Sequence, residues 1–135
     1  MKNLTVYECT KYQGTFRRCI EFAKKCGLPI SKRLSPTLYY ANSKSAWGMT
    51  LKPPRGKILI AITSGLVDDW GDKNKNLPTK RKGSLCSVLF HELAHTCPGS
   101  FDHGKSWKKW VKVLNDNGTN VDLHPCGKNP PNWER

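Results

Sequence analysis

The feature that most constrains this chain is a segment, residues 84–96, that reads as a helix with apolar side chains on every side. These side chains point in nearly all directions around the helix axis: Leu85, Val88, Leu89, Phe90, Leu93 and Ala94. A helix that is apolar all round is a buried one, and Ser84 is suited to cap its amino terminus. The exceptions are His91, Glu92 and His95, and buried polar groups are tolerated only when they have partners.

The polar exceptions form the sequence HELAH, which is typical of a catalytic metal site. His91 and His95 are four residues apart, so both lie on one helical face and can share a metal ion. Glu92 lies about 100° around the helix, where it can reach a water on that metal without becoming a ligand. A catalytic zinc needs three protein ligands and an open position. His103, which follows a break at Gly99, is the candidate for the third ligand.

Two other interpretations of the same residues stay open. A pair of core histidines beside a salt-bridged Glu92 explains the pattern without a metal. Alternatively, a zinc ion is structural, and Asp102 or Cys97 completes its fourth position. Asp116 stands where some zinc hydrolases carry their third ligand, but it lies at a helix end and is a weaker candidate than His103.

The rest of the chain predicts an α+β domain. At 135 residues it is long enough for one core and too short for two. Apolar residues recur at helical spacing in 15–27 and in 105–115, and Gly118 follows the second helix as a typical carboxyl-terminal cap.

Three short strands are predicted between the first two helices, at 37–42, 46–51 and 57–62. The last of them, KILIAI, is apolar on both faces and is expected to be covered on both. Pro53, Pro54 and Gly56 indicate a hairpin between the second and third strands. A polar, basic loop is predicted at 71–82, and an irregular tail ends the chain.

The chain is strongly basic, with 23 Lys and Arg against 10 Asp and Glu, a net charge of +13. Such an excess is the electrostatic footprint of a nucleic-acid binder. The alternatives are a protein that is merely basic and one that binds an anionic surface or an acidic partner. Lysines repeat along helix 105–115 opposite its apolar face, and a basic cluster precedes helix 84–96. The nucleic-acid candidates are Lys80, Arg81, Lys82, Lys105, Lys108, Lys109 and Lys112.

The composition of the chain also bears on where it resides. No stretch approaches the roughly eighteen apolar residues that a membrane span requires. The first residues, MKNLTVYECTKYQG, are polar and charged where a secretory signal has its apolar run. We therefore expect a soluble, intracellular monomer of the nucleus or cytoplasm, without membrane contact. In such a compartment cysteines stay reduced.

Three stretches together resemble the SprT-like family of zinc metallopeptidases, the family of the DNA–protein crosslink protease Spartan. One is HELAH on a buried helix, and the second is HGKSWKKWVKVLNDNG after it. The third is AWGMT before it, followed by a basic turn, KILIAI and SGL. The likeness covers roughly residues 16–121.

The resemblance implies one zincin-like domain, 1–135, with its core at about 15–121 and an irregular tail at 122–135. A small antiparallel sheet of about three strands would pack on the HExxH helix, with helices flanking it. One catalytic Zn²⁺ would be held by His91, His95 and His103, with Glu92 as the catalytic acid/base. The implied activity is endopeptidase cleavage of proteins bound or crosslinked to DNA, with DNA, single-stranded DNA included, as partner and activator.

The chain departs from the family pattern in two places. The connection from the helix to His103 is shorter than in many members. The cysteine-rich zinc ribbon that many members carry after the protease domain is missing from these residues, because Cys126 alone cannot form one.

Two rival functions fit the same residues. One is a zinc-dependent nuclease or other hydrolase that acts on the nucleic acid itself. The other is a non-catalytic DNA-binding module whose zinc only stabilises the fold. Glu92 favours the peptidase because it supplies the base that such a reaction needs.

Overall fold

The computed structural model describes residues 5–42, 48–63 and 85–121. These residues form four strands and three helices, so the predicted α+β class is confirmed. Each predicted helix and strand is present, with its ends within about three residues of the prediction. The predicted loop at 71–82, the Ser84 cap and the tail from 122 lie outside the described residues. The elements are β1 Val6–Glu8, α1 Gln13–Lys25, β2 Leu34–Ala41, β3 Gly48–Leu51, β4 Ile58–Thr63, α2 Leu85–His95 and α3 Lys105–Asp116.

The most apolar strand, β4, lies inside the sheet, whose strand order is β1-β2-β4-β3. Ile60, Ala61 and Ile62 are each 0% exposed. Successive residues of a strand face opposite sides of the sheet, so both faces of β4 are covered here, as the sequence predicts.

The prediction of an antiparallel sheet of about three strands is wrong. β3 and β4 do form the predicted antiparallel hairpin. However, β4 also pairs in parallel with β2, through partners such as Leu38 and Ile60, so the sheet is mixed. Burial of apolar area is favourable, so the strand that is apolar on both faces lies between two neighbours. The less apolar β3 is left at an edge.

The fourth strand, β1, is absent from the sequence prediction. It pairs antiparallel with β2, and the ring centroids of Tyr7 and Tyr40 lie 5.3 Å apart across the pair. The Cys9 N–H donates to the carbonyl oxygen of Leu38 at 2.9 Å, which continues the pairing. A strand of three residues is too short for an alternating pattern to be recognised in the sequence.

Two of the helices end in the same hydrogen-bonded cap. Gly27 after α1 and Gly118 after α3 have φ angles of 95° and 111°, a region that glycine occupies readily. The next residue after each glycine donates its N–H back into the helix, from Leu28 to Ala23 at 3.1 Å and from Thr119 to Leu114 at 3.2 Å. This is the Schellman arrangement, and it confirms Gly118 as a helix cap.

The helix α2 is the centre of the core. Every residue from Leu85 to His95 is buried, as the all-round apolar pattern predicts. On one side, Phe22 of α1 lies with its ring centroid 5.4 Å from that of Phe90. On the other side, α3 contributes Trp107, Val111 and Leu114 to the core. None of the three described helices has the length and apolar character that crossing a membrane requires.

Candidate metal centre

Three imidazole rings meet beside the carboxyl-terminal half of α2. Nε2 of His91 lies 3.2 Å from Nε2 of His95 and 3.2 Å from Nε2 of His103. One possible ligand atom of each residue lies within 4.8 Å of those of the other two. Nitrogens bound tetrahedrally at about 2.05 Å from one zinc ion stand roughly 3.3 Å apart. The fold therefore brings the three predicted ligands together at a spacing that suits one metal ion.

The protonation of the rings supports the same interpretation. Nδ1 of His95 lies 2.7 Å from the carbonyl oxygen of Ser100. A carbonyl oxygen only accepts, so Nδ1 carries a proton, and when the ring is neutral Nε2 presents its lone pair to the site. Nε2 of His91 faces two other ring nitrogens but has only one proton or one lone pair to offer. A metal ion can bind all three lone pairs at once.

The short connection between α2 and α3 is braced by hydroxyl groups. The Ser100 and Ser106 Oγ atoms lie 2.7 Å apart, and the Ser106 hydroxyl also lies within hydrogen-bond distance of the Pro98 carbonyl oxygen, at 3.2 Å. Ser100 is fully buried. Because its carbonyl accepts the proton of His95, this bracing fixes the orientation of that ring. Groups that orient metal ligands in this way typically change metal affinity when they are replaced.

Trp107 packs against all three histidine rings. Its indole Nε1 donates to the carbonyl oxygen of His91 at 3.2 Å. The indole stacks on His95 with an interplanar angle of 23° and meets His103 edge-on, with centroids 4.7 Å apart. Trp107 is fully buried. Trp107 of α3 thus packs against the two candidate ligands of α2 and against His103 in the connection between α2 and α3.

Glu92 lies between the histidines and the edge strand β3. Its carboxylate Oε2 is 3.8 Å from Nε2 of His91, the ring nitrogen at the centre of the trio. Oε1 accepts a hydrogen bond of 2.7 Å from the hydroxyl of Thr50. Glu92 is only 3% exposed, so this carboxylate is held close to the ligand atoms in a largely dry environment.

Gly48 allows β3 to approach α2 at this point. A Cβ atom built on Gly48 would lie 2.7 Å from Cγ1 of Val88 and 3.3 Å from both Cγ and Oε2 of Glu92. A side chain there would push β3 away from the carboxylate. Sequence reasoning missed Gly48 and Thr50. A glycine inside a strand, a frequent sign of close backbone approach, is the signal that could have identified the first of them.

We expect a Thr50→Val substitution to lower the free energy of unfolding by about 1–3 kcal/mol, because it removes a hydrogen-bond donor from a buried carboxylate. Thr50→Ser, which keeps the hydroxyl, is expected to retain most of the stability. The matched control is Thr37→Val, the same change at another half-buried strand position. Urea denaturation of the four proteins measures the difference. Equal losses for Thr50→Val and Thr37→Val would contradict the assigned role of the hydroxyl.

The predicted nucleic-acid residues divide into two groups. Lys105, Lys108, Lys109 and Lys112 all lie exposed on α3. Lys112 pairs with Asp116 at 3.4 Å, and Lys109 lies 4.6 Å from the ring centroid of Trp110. Both contacts are at the surface, so they leave the positive charge of this face accessible to solvent. Lys80, Arg81 and Lys82 lie outside the described residues.

The other candidate ligands predicted from the sequence do not join the three histidines. Among the described His, Cys, Asp and Glu side chains, the three histidines are the group that converges closely enough to hold an ion. The Asp102 carboxylate accepts the N–H of Gly104 at 3.0 Å, and Asp116 pairs with Lys112. Burial raises the pKa of the Cys97 thiol to about 12, and this thiol is not in the group of ligand atoms that converges with the three histidines.

Comparisons with known proteins add nothing to this geometry: the chain matches no family model, no curated protein and no solved structure. Its function is therefore inferred from the three histidines, Glu92 and the elements that position them.

Proposed function

We propose that this chain is a zinc-dependent endopeptidase of the zincin type, as its resemblance to the SprT-like family implies, and that it acts on proteins bound or crosslinked to DNA. One observation carries the proposal. Nε2 of His91 lies 3.2 Å from Nε2 of His95 and 3.2 Å from Nε2 of His103, and a buried carboxylate oxygen of Glu92 lies 3.8 Å from it. The three histidines that would bind the metal and the carboxylate that would act as general base thus lie within one small, largely buried site.

Zinc is the metal that the donor set favours. Three neutral imidazoles with an open fourth position are typical of catalytic zinc. His91, His95 and His103 would hold the ion, and Trp107 and the Ser100 carbonyl would maintain the orientation of their rings. When bound, zinc polarises a substrate carbonyl and lowers the pKa of water toward neutrality.

Glu92 is the general acid and base of the proposal. From its position beside His91, the carboxylate takes a proton from the attacking water and later returns it to the leaving amine. Thr50 donates to Oε1, and Oε2, on the side of His91, is the oxygen that would take the proton. Burial in an apolar helix strengthens these electrostatic interactions because little water screens them.

The substrate would lie extended along β3. In the sheet formed by the described residues, β3 pairs with β4 on one side only, so its other edge can accept a further strand. Gly48 and Thr50 of this strand adjoin Glu92. A peptide paired with β3 would therefore pass directly by the proposed base.

In this proposal DNA activates the peptidase and also carries its protein substrates. The lysines of α3 begin two residues after His103 and are exposed, so a phosphate backbone bound there would lie near the site. A zinc-dependent nuclease and a non-catalytic zinc-stabilised module also combine a basic surface with three histidines. Glu92 favours the peptidase, because it would supply the general base that attack of water on a peptide carbonyl needs.

The test is cleavage of a basic DNA-binding protein by the zinc-loaded chain, with and without single-stranded DNA, after bound zinc has been quantified. We expect protein fragments from the wild type, in a larger amount when DNA is present, and none from Glu92→Gln. Degraded DNA with intact protein would show a nuclease instead. Bound zinc with neither activity would favour the binding module.

A further inference from the structure

A cavity of about 160 Å³ lies next to the candidate centre, between the sheet and the connection from α2 to α3. This volume is many times the roughly 15 Å³ that one water needs, so a side chain can enter it. The cavity wall combines cationic, apolar and small polar groups, and its main members are Arg33, Lys52, Ile58, Thr96, Cys97 and Phe101.

The residues that line the cavity are suited to bind an anion. Arg33 and Lys52 are cationic, and no acidic residue is among the described residues that line the cavity. Two hydrogen bonds hold the Arg33 side chain in place: its Nε donates to the carbonyl oxygen of Gly56 at 2.9 Å, and its Nη2 donates to that of Pro53 at 2.7 Å. The guanidinium carries further donors on Nη1. Lys52 is positioned with its Nζ 3.7 Å from the ring centroid of Phe101. Two oriented cations without a carboxylate partner in the same wall attract a negatively charged group.

Residues on two sides of the cavity are close in sequence to residues of the site. Thr96 follows His95 directly, and the exposed ring of Phe101 precedes His103 by two residues. On the sheet side, Lys52 comes two residues after Thr50, whose hydroxyl holds Glu92. At about 3.3 Å per residue along a strand, Lys52 lies roughly 7 Å from the position of Thr50. A substrate strand beside β3 would therefore reach the cavity within two or three residues.

The direction of the substrate decides which of its residues arrives there. Antiparallel pairing is somewhat more stable per residue than parallel pairing, so we take the substrate to run opposite to β3. Its residues near the carboxyl-terminal end of β3, where Lys52 lies, then precede the scissile bond.

We propose that this cavity is a specificity site for an acidic side chain, aspartate or glutamate, located two or three residues amino-terminal to the scissile bond. The carboxylate would be held between the guanidinium of Arg33 and the ammonium of Lys52, with the ring of Phe101 against its methylene groups. The assignment rests on the proposed peptidase function, and it adds a substrate preference to that function.

The experiment compares matched fluorogenic peptides that carry Glu, Gln or Lys at each of these two positions. For the wild type, we expect kcat/KM to be about fivefold higher for Glu than for Gln, the size typical of a solvent-exposed charge pair. In Lys52→Glu the preference for Glu is expected to be lost, because the new carboxylate repels the acidic side chain while Arg33 still attracts it. Arg17→Glu, the same change of charge on the exposed face of α1, is the matched control and is expected to keep the Glu preference.

Equal rates for the Glu and Gln peptides with wild type would overturn the assignment. So would an equal loss of preference in Lys52→Glu and Arg17→Glu, because the overall charge of the protein would then explain it. A third overturning result is loss of oligonucleotide binding in Lys52→Glu with unchanged peptide preference, which would identify a phosphate site.

A binding measurement separates failure of this assignment from failure of the peptidase function. Fluorescence anisotropy with labelled Glu and Gln peptides is recorded on zinc-loaded Glu92→Gln protein and on the double variant Glu92→Gln/Lys52→Glu. If no peptide is cleaved by wild type, the peptidase function fails. Tighter binding of the Glu peptide, lost in the double variant, would still support the cavity as a carboxylate site, and equal binding would refute it.

Discussion

A Glu92→Gln variant is expected to lose about a hundredfold to ten-thousandfold in kcat while it keeps its bound zinc, because a general acid/base contributes a factor of this size. The amide is nearly isosteric with the carboxylate and can still accept a hydrogen bond from Thr50 through its oxygen. It cannot take up the proton of the attacking water. Cleavage assays on zinc-loaded protein, together with elemental analysis of the metal, measure the two quantities separately.

The matched control for this substitution is Glu21→Gln, on the exposed face of α1. It changes the net charge by the same amount and is expected to cleave at the wild-type rate. If Glu92→Gln keeps most of the turnover, Glu92 is not the general base. If it loses zinc together with activity, the result shows a ligand or a folding role and contradicts the proposed chemistry.

We expect Trp107→Ala to lower the free energy of unfolding by about 3–5 kcal/mol, the usual cost of truncating a fully buried aromatic residue. The indole fills the space between α2 and α3 and contacts all three histidine rings. Its loss is also expected to weaken zinc binding by about tenfold to a hundredfold, as changes beside metal ligands commonly do. Urea denaturation without zinc and competition with a chromophoric chelator give the two values.

Two further variants show whether the effect belongs to this indole. Trp107→Phe keeps much of the ring but loses the hydrogen bond to the His91 carbonyl oxygen, so an intermediate loss is expected. Trp110→Ala removes a half-buried indole from the same helix and is expected to affect zinc affinity little. Equal weakening of zinc binding in Trp107→Ala and Trp110→Ala would contradict the support that Trp107 gives to the histidines.

The helices, their caps and the pairing of His91 with His95 are predictable because each depends on residues that are close in the sequence. An apolar pattern around the whole circumference indicates a buried helix, and α2 is buried along its length. Gly118 follows α3 and caps it, as its position predicts. The spacing of His91 and His95 places both on one face, and their Nε2 atoms lie 3.2 Å apart. In each case the relevant residues are neighbours within one or two helical turns.

The sheet was less predictable because strand pairing joins residues that are distant in sequence. The hairpin of β3 and β4 is local and agrees with the prediction. The parallel pairing of β2 with β4 is not local. It depends on β4 burying more apolar area between two neighbours than at an edge. β1 has only three residues, too few to show a pattern, and it is held by its pairing with β2.

The sequence by itself determined which chemistry this chain can carry: two histidines on one helical face, a glutamate beside them, a third histidine after a break, and a strongly basic composition. Only the tertiary structure decided how these groups are held. Thr50 reaches Glu92 across 42 positions of the chain, and Trp107 reaches His91 across 16. The cavity beside Lys52 likewise joins residues of the sheet and of the connection after α2. Contacts of this kind produce no periodic pattern in the sequence, because they arise from the packing of separate elements on one core.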